Sequence, residues 1–277
     1  MNEIDYRKLI IVIKGAGEMA SGIGHRLYMS GMRRILMTEI EKPLCIRRTV
    51  SFSEAIYEGE AYVEGVKARK IEFLNELNEV WSNGEIGVIV DPEAKSVTEL
   101  KPDVLIDATM AKRYTGTKKN EAPIVICIGP GFKAPDHCHA VIESQRGHNL
   151  GRVIYQGEPE PHTGIPVPIL GHSEERVLRA PHKGTVRHVK KIGDLVKEGD
   201  LVLYVDDTPL FSKISGILRG LIKEIEVDVN EKIADIDPTM EVTHCYTISE
   251  KARAIAGGVL EAILHFLPSL GDRKREL

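Results

Sequence analysis

Short apolar runs alternate with helical patterns along the first half of the chain. Leu9 to Ile13 is an apolar run of strand length, and a glycine cluster and a helical stretch over 18–30 follow it. Further strand-length runs occur at 35–38, 86–90, 104–106 and 123–128, and helical patterns occur at 51–57, 71–81 and 92–100. A hairpin over 61–70 is predicted to turn at Glu64-Gly65. This alternation predicts an α/β domain with a Rossmann-type, doubly wound, mostly parallel sheet.

The apolar pattern shortens after a proline-rich linker at 164–168. An internal repeat follows, in which 184–186 and 194–200 are matched by 216–218 and 227–233, with an offset of 32 or 33 residues. Two similar halves of short strands, related by a pseudo-twofold axis, predict a small β-sandwich. We therefore divide the chain into domains at 1–165 and 172–240, with a final helix at 247–268.

The final helix carries apolar residues at a period of 3.6. Thr247 and Glu250 match a capping box at its start. The pair Gly257-Gly258 lies in mid-helix, where each glycine costs about 1 kcal/mol. Close packing against another backbone would explain that pair, and we expect this helix to pack on the first domain.

Composition narrows the class of protein. The chain of 277 residues has a net charge of -4, which gives no reason to expect nucleic acid or an anionic membrane as a partner. It has no run of 18 apolar residues, so we predict no membrane span. The four cysteines show no paired spacing, which favours a reducing, cytoplasmic compartment over a disulfide framework.

A glycine-rich loop follows the first predicted strand. Gly15, Gly17 and Ala20 fit the pattern G-x-G-x-x-G/A, in which a tight turn and a close approach to pyrophosphate leave no room for Cβ. Glu18 and Met19 open the helix, whose N-terminus attracts anions. The Glu18 carboxylate either opposes a phosphate there or favours the helix as an acid in its first turn. Glu39 ends the second strand, where a carboxylate binds the ribose of NAD-type ligands.

Basic and polar residues follow several of the predicted strands. Arg47 and Arg48 lie beyond the second strand, where they form either a phosphate clamp or a solvated surface pair. Lys112 and Arg113 are expected at the same edge of the sheet. Asp107 is expected to orient a ligand or pair with Lys112, and the turn at Gly129 is expected to line the cleft.

Seven of the ten histidines lie between 137 and 188. His137 and His139 would share a face if their segment were a strand, and would then be candidate metal ligands. No closed zinc-type spacing supports a metal, so loop histidines are the preferred interpretation. No catalytic triad is present in the sequence, and no catalytic residue is assigned.

With these residues in view, the chain resembles the YqeB family of selenium-dependent molybdenum hydroxylase accessory proteins, related to the XdhC/CoxI-like Rossmann proteins. The resemblance rests on 14–22, Pro43, 46–48, 52–55, 107–113, 129–132, Asp136, His139, 146–148 and 163–164. The family often has Gly-Asp-Leu-Ala where this chain has 17–20 as Gly-Glu-Met-Ala. The resemblance implies maturation of a molybdenum hydroxylase, with the hydroxylase apoprotein as partner and molybdopterin or its nucleotide form as ligand.

The second domain resembles the barrel-sandwich hybrid of biotinyl and lipoyl carriers, through 193–200. A carrier needs a lysine at an exposed hairpin tip, but 205–209 has none and Lys213 lies beyond it. We therefore predict no biotin or lipoate, and a docking or lid role. Two alternatives to the maturation role stay open, an NAD(P)-dependent oxidoreductase and a non-catalytic scaffold, and so does a homo-oligomer.

Overall fold

The computed structural model describes residues 4–162, 164 and 167–273. The chain divides into two compact units. Unit 1 comprises Met1–Pro43, Phe52–His162 and Ile248–Leu277, and unit 2 comprises Leu44–Ser51 and Thr163–Thr247. We predicted that 44–51 belongs to the first domain, whereas in the structure this segment belongs to unit 2. Part of the predicted linker at 164–168 lies outside the described residues.

Unit 1 is built on a nine-stranded sheet in the order β3-β4-β5-β2-β1-β6-β7-β8-β9. Its strands are β1 (Ile10–Lys14), β2 (Arg34–Glu39), β3 (Glu60–Val63), β4 (Val66–Ile71), β5 (Ile86–Val90), β6 (Val104–Asp107), β7 (Ile124–Ile128), β8 (Ala140–Ile142) and β9 (Val153–Ile154). The described strands pair in parallel except at the two edges, where β3 and β9 run antiparallel to their neighbours. All five residues of β7 are buried, as expected for a strand covered on both faces.

The direction in which strands are added reverses beside β1. The chain runs from β1 to β2 and on toward β5 on one side, then returns to place β6 against the other side of β1. The carboxyl ends of β1 and β6 therefore flank a crevice at the point of reversal. In open α/β sheets, ligands bind at such a point.

The helices of unit 1 are α1 (Glu18–Met29), α2 (Glu54–Glu58), α3 (Leu77–Ser82), α4 (Lys95–Leu100) and α5 (Glu250–Arg273). Three of them begin later than predicted. Ser53, not Ser51, precedes α2, and 66–71 form a strand before α3. The proline start of α4 was also wrong, because the Asp91 carboxylate accepts the N–H groups of Lys95 and Ser96 at 2.9 and 2.8 Å.

Helix α5 packs closely on α1. A Cβ at Gly22 would lie 2.8 Å from Cβ of Ala252, and one at Gly258 would clash with the carbonyl of Gly151. The prediction of close backbone packing is thus confirmed at Gly258, while a Cβ at Gly257 would meet no described atom within 4 Å. Ser249 Oγ accepts the N–H of Ala252 at the start of α5, so the predicted capping box of Thr247 and Glu250 is wrong and Ser249 is the capping residue.

By length and composition, the stretch Glu250–Leu270 of α5 is apolar enough to cross a membrane. Six of its apolar residues are nevertheless fully buried within unit 1. These are Ala252, Ile255, Ala256, Val259, Ala262 and Ile263.

Unit 2 contains two four-stranded antiparallel sheets, β10-β17-β15-β12 and β14-β13-β11-β16. Its strands are β10 (Val177–Arg179), β11 (Gly184–His188), β12 (Leu195–Val196), β13 (Leu201–Val205), β14 (Thr208–Phe211), β15 (Gly216–Leu221), β16 (Glu226–Val227) and β17 (Lys232–Asp237). The first copy of the repeat contains the start of β11 and all of β12, and it ends immediately before β13. The second copy contains the start of β15, the end of β16 and the start of β17. Each copy lends one short strand to the other, because β12 pairs with β15 and β16 pairs with β11.

The buried apolar residues of both unit 2 sheets form one cluster, against which Ile46 packs. The N–H of Leu221 also donates to the carbonyl of Ile46 at 2.7 Å. These contacts explain why 44–51 belongs to unit 2. The protein is thus a mixed α/β structure with a large, mainly parallel sheet and additional antiparallel sheets.

Candidate ligand site at the carboxyl edge of the parallel sheet

The glycine loop connects β1 to α1. Gly15 has φ of +93°, and a Cβ there would lie 3.2 Å from the carbonyl oxygen of Ala108, so only glycine fits without strain. Gly17 has an ordinary φ of -68° and precedes α1 with no side-chain capping hydrogen bond. A Cβ at Gly17 would meet no described atom within 4 Å. The fold therefore requires glycine at position 15, whereas position 17 faces open space beside a helix N-terminus.

Glu39 ends β2 at the same edge. Its carboxylate accepts hydrogen bonds from the main-chain N–H groups of Ile40 and Ala16, and Ala16 lies inside the glycine loop. Burial raises the pKa of Glu39, and these two donors oppose the rise. The structure thus brings together Gly15, Gly17, Glu18 and Glu39. Met19 is half-buried and Ala20 is buried in the first turn of α1.

Asp107 ends β6 and is almost fully buried. Its carboxylate accepts the hydroxyls of Thr109, Thr115 and Thr117 at 2.8, 2.7 and 2.6 Å, and the N–H of Thr109 at 3.2 Å. The expected pairing with Lys112 is wrong, because these donors surround the carboxylate and Lys112 is exposed with a φ of +59°. Asp107 instead organises the loop that carries Lys112.

Lys14, which the sequence analysis did not single out, supports the same loop. Its ammonium group donates to Thr117 Oγ1 and Glu121 Oε2, both at 2.9 Å. The strand β1 thus anchors both the glycine loop and the loop after β6. A lysine at the end of a strand is common in proteins, so the sequence did not indicate that Lys14 bonds to the loop after β6.

The loops after β6 and β7 approach each other closely. Gly131 has φ of +103°, and a Cβ there would clash with the backbone of Arg113. The N–H of Gly129 donates to the carbonyl of Ile142 at 2.9 Å, and a Cβ there would meet Ser144 Oγ. Gly129 and Arg113 are therefore held by main-chain packing at this edge.

Two further basic residues lie at the start of α5. Arg146 follows β8 and pairs with Oε1 of Glu250 at 2.6 Å, at the start of α5. Lys251 is the next residue of α5 and is half-buried. Burial lowers the pKa of Lys251, and the positive charges of Arg146 and Lys112 lower it further. The negative charges of Glu18 and Glu143 oppose this shift. Lys251 was missed because it lies far along the chain from the loop, on a helix identified only by its apolar face.

Arg47 and Arg48 belong to unit 2. Arg47 is buried and donates to the carbonyls of His244 and Thr247 at 2.8 and 3.2 Å. Arg48 Nε donates to the carbonyl of Leu221 at 2.8 Å. These bonds tie 44–51 to the rest of unit 2, and they give no support to the expected phosphate clamp.

His137 and His139 do not lie on a strand, because β8 begins only at Ala140. Their predicted shared face is therefore wrong. His137 Nδ1 accepts the N–H of Lys133, and His139 Nδ1 accepts the N–H of Val125. Within the described residues, no group of three or more histidine, cysteine, aspartate or glutamate side chains is arranged to hold a metal ion.

The hairpin between β13 and β14 turns at Asp206 and Asp207, since Val205 pairs with Thr208. Asp206 Oδ1 accepts the N–H of Thr185 at 2.9 Å. Lys213 follows β14 and lies outside this turn. The tip therefore presents carboxylates where a carrier domain would present a lysine.

The fold and the site define a class: an α/β protein with a candidate ligand site at the edge where strand order reverses. The chain is 46% identical over 256 residues to the uncharacterized protein YqeB of Escherichia coli (strain K12), which covers 92% of this chain. It spans about half the length of that curated relative, 47%. The identity supports the resemblance to YqeB proteins. No family model matches the chain.

Three solved structures show a distant likeness to this chain. TcdA (CsdL) matches with a TM-score of 0.32 and 11% identity, over 94% of this chain and 88% of that chain. EutE (DoeB), an ectoine utilization protein from Ruegeria pomeroyi, matches with a TM-score of 0.25 and 9% identity, over 82% and 84%. A succinylglutamate desuccinylase/aspartoacylase from Rhodobacter sphaeroides matches with a TM-score of 0.26 and 14% identity, over 82% of this chain and 85% of that chain. Likeness at this level carries no argument about function.

Proposed function

We propose that unit 1 is a Rossmann-type domain that binds a nucleotide-like ligand on its glycine loop, and that the chain is an accessory factor in molybdenum hydroxylase maturation. The strand order supports the first part. Strands β5-β2-β1-β6-β7-β8 follow the order 3-2-1-4-5-6 of dinucleotide-binding sheets, with the hairpin of β3 and β4 added at one edge. The glycine loop and Glu39 then occupy the positions that contact pyrophosphate and ribose in such sheets.

Glu39 is the observation that carries the proposal. Its carboxylate is held at the end of β2 by an N–H group of the glycine loop. A carboxylate there accepts hydrogen bonds from ribose hydroxyls, while Gly17 leaves beside the helix N-terminus a space that a Cβ would fill.

The maturation role comes from the resemblance to YqeB-type accessory proteins. In that role the ligand is molybdopterin or its nucleotide form, and the partner is hydroxylase apoprotein in the cytoplasm. Unit 2 is proposed as a barrel-sandwich hybrid that serves as a docking or lid module. Its exchange of short strands between repeat halves supports that assignment.

An NAD-dependent oxidoreductase is the second candidate, and Glu39 favours it as well. A carboxylate at this position binds free ribose hydroxyls and repels the 2′-phosphate of NADP. Lys112 would serve as the acid, because its ammonium is exposed on the loop after β6.

A thermal-shift titration with NAD, NADH, NADP and a molybdopterin-containing extract tests the proposal. A ligand at 100 times its Kd stabilises the folded state by about 2.7 kcal/mol. We expect a shift in the wild type and its loss in Gly17→Ser, which fills the open space and keeps a favourable N-cap residue. A shift with NAD and none with the extract would favour the oxidoreductase. Silence from every ligand would overturn both functions and favour a scaffold.

A further inference from the structure

Three basic residues of unit 1 lie on elements that meet at the edge of the sheet carrying the glycine loop. Lys112 follows β6, Arg146 follows β8, and Lys251 lies in the first turn of α5. The carboxyl ends of parallel strands meet at one edge, which places Lys112 and Arg146 on the same side as the loop. Helix α5 brings Lys251 there, because its Ala252 packs on Gly22 of α1.

Arg146 has unused hydrogen-bonding capacity. Its side chain is 23% exposed and pairs through one terminal nitrogen with Glu250, whose side chain is 69% exposed. Its Nε is buried and has no hydrogen-bond partner in the described part of the chain. Buried donors in folded proteins are nearly always bonded, so this group calls for an acceptor.

The neighbouring carboxylate is already occupied. Glu143 is buried, and its two oxygens accept the N–H groups of Gln145 and Glu160, each at 2.7 Å. The charged groups that act on Lys251 are Arg146, Lys112, Glu18 and Glu143, and His162 lies within the field of both lysines. Their combined effect with burial disfavours the charged ammonium in the absence of an anion.

We propose that Lys112, Arg146 and Lys251 form a subsite for a phosphate group beside the N-terminus of α1. Arginine and lysine donors with a helix N-terminus are the usual elements of phosphate recognition. The identification of this phosphate with one in a nucleotide-like ligand rests on the proposed function. The subsite itself is defined by its three cations, and inorganic pyrophosphate probes it directly.

Calorimetric titration of the full chain with inorganic pyrophosphate tests the subsite. Loss of one charge-assisted contact weakens binding roughly tenfold. We expect that loss in Lys251→Met and Arg146→Gln, and a smaller one in Lys112→Gln, whose exposed side chain keeps the fold intact. Lys95→Met is the matched control, because Lys95 is exposed on α4 and pairs with Glu93. Unchanged affinity in Lys112→Gln and Lys251→Met, or no binding by the wild type, would overturn the proposal.

Proton uptake gives a second measurement that a purely structural role would not change. Burial lowers the pKa of Lys251 below the ordinary lysine value of about 10.4, and a bound anion favours the charged ammonium, so binding at about pH 9 should draw a proton onto Lys251. Titration in two buffers with different ionisation enthalpies measures the net proton exchange, to which pyrophosphate contributes alike in every protein. We expect the wild type and Lys95→Met to take up more protons than Lys251→Met. Equal uptake in all three proteins would contradict the role of Lys251.

The two proposals fail in different ways. If pyrophosphate binding depends on Lys251 while NAD and the pterin extract produce no thermal shift, the subsite stands and the nucleotide function fails. If a nucleotide binds in a Gly17-dependent way while the three cation variants bind both probes like the wild type, the subsite fails and the nucleotide function stands.

Discussion

The carboxylate of Glu39 accepts a hydrogen bond from the main-chain N–H of Ala16, the residue between the two glycines of the loop. This bond joins the end of β2 to the turn after β1. Burial raises the pKa of Glu39 despite the bond, so ionising this carboxyl group costs more in the folded protein than in water. A carboxyl group perturbed in this way is typical of binding sites.

Replacing Glu39 by Gln should separate stability from ligand binding. The amide oxygen still accepts from Ala16, but the buried charge is removed, so we expect a higher free energy of unfolding at pH 7. Loss of charge-assisted bonds to ribose should weaken NAD binding by about 1.5–3 kcal/mol, or roughly 10–100-fold. Urea unfolding and calorimetry measure the two effects. Equal NAD affinity in both proteins would exclude Glu39 as a ribose ligand.

The pH dependence of the stability of Glu39→Gln tests whether the pKa of Glu39 is raised in the folded protein. Because the folded pKa of Glu39 is raised, its contribution to stability is fully present below the unfolded pKa of about 4.3 and is lost as pH rises through the folded pKa. The stability difference between Glu39→Gln and the wild type should therefore be larger at pH 7 than at about pH 4. A constant difference over this range would mean that Glu39 titrates as in the unfolded chain.

Gly15 and Gly17 should respond differently to substitution. Gly15→Ala places a side chain at φ of +93° against the carbonyl of Ala108, which should cost about 1–2 kcal/mol. Gly17→Ser has an ordinary φ and open space, so its stability should stay within about 0.5 kcal/mol of the wild type. Urea unfolding of both variants measures this contrast. Equal losses would mean that Gly17 is also required by the fold.

Much of unit 1 could be predicted because its signals are local. The run Leu9 to Ile13, the glycines after it and the helix closed by Gly31 lie within one stretch, and the turn at Glu64-Gly65 falls where predicted. Parallel pairing of β1 with β2 then brings the glycine loop and Glu39 to one edge. Such elements depend on periodicity and turn chemistry, which a single sequence carries.

The features that escaped prediction depend on distant partners. Arg47 and Arg48 bond to carbonyls 197 and 173 residues away. Their closeness to β2 in the sequence therefore led to the wrong domain for 44–51. Lys251 reaches the glycine loop only through the packing of α5 on α1. The predicted start of α4 at Pro92 was wrong for a local reason. Asp91, the residue before that proline, accepts the N–H groups of Lys95 and Ser96, and the helix begins only at Lys95.

Asp107 should be a large contributor to stability. Asp107→Ala removes the acceptor for three threonine hydroxyls, of which that of Thr117 is buried, so we expect a loss of about 2–4 kcal/mol. Urea unfolding measures the loss, and limited proteolysis should cut first within 108–117. Asp103→Ala is a partial control, since Asp103 accepts the N–H of Ile10 at the opposite end of the same strands. If Asp107→Ala were cut within 108–117 no faster than the wild type, Asp107 would not organise this loop.

Arg47 should act on unit 2 and leave nucleotide binding unchanged. Arg47→Met leaves the carbonyls of His244 and Thr247 without their donor, so we expect a loss of about 1–3 kcal/mol in the unfolding of unit 2. Lys197→Met, at an exposed position of the same unit, should be neutral. The thermal shift with NAD or pyrophosphate should persist in both variants. Loss of that shift in Arg47→Met alone would restore Arg47 as an anion contact.

Glu64 connects the hairpin of β3 and β4 to the start of α5. Its Oε1 accepts the N–H of Ile248 at 2.8 Å and a terminal nitrogen of Arg253 at 2.6 Å. The Glu64 side chain is 21% exposed and that of Arg253 is 47% exposed, so the ion pair alone is partly screened by water. Each side chain also bonds to the main chain of Ile248, because Arg253 Nε donates to the Ile248 carbonyl at 3.1 Å.

Glu64→Ala should cost more than Arg253→Ala, because the Glu64 side chain is less exposed and its bond to Ile248 is shorter. We expect about 1.5–3 kcal/mol for Glu64→Ala, and about 0.5–1.5 kcal/mol for Arg253→Ala, which removes the partly exposed ion pair and the longer bond to the carbonyl of Ile248. A double-mutant cycle by urea unfolding isolates the coupling between the two side chains. Glu64→Gln should fall between the wild type and Glu64→Ala, because its amide oxygen still accepts from Ile248. Equal losses in the two alanine variants would show that the bond from the N–H of Ile248 to Glu64 adds no more stability than the bond from Arg253 to the carbonyl of Ile248.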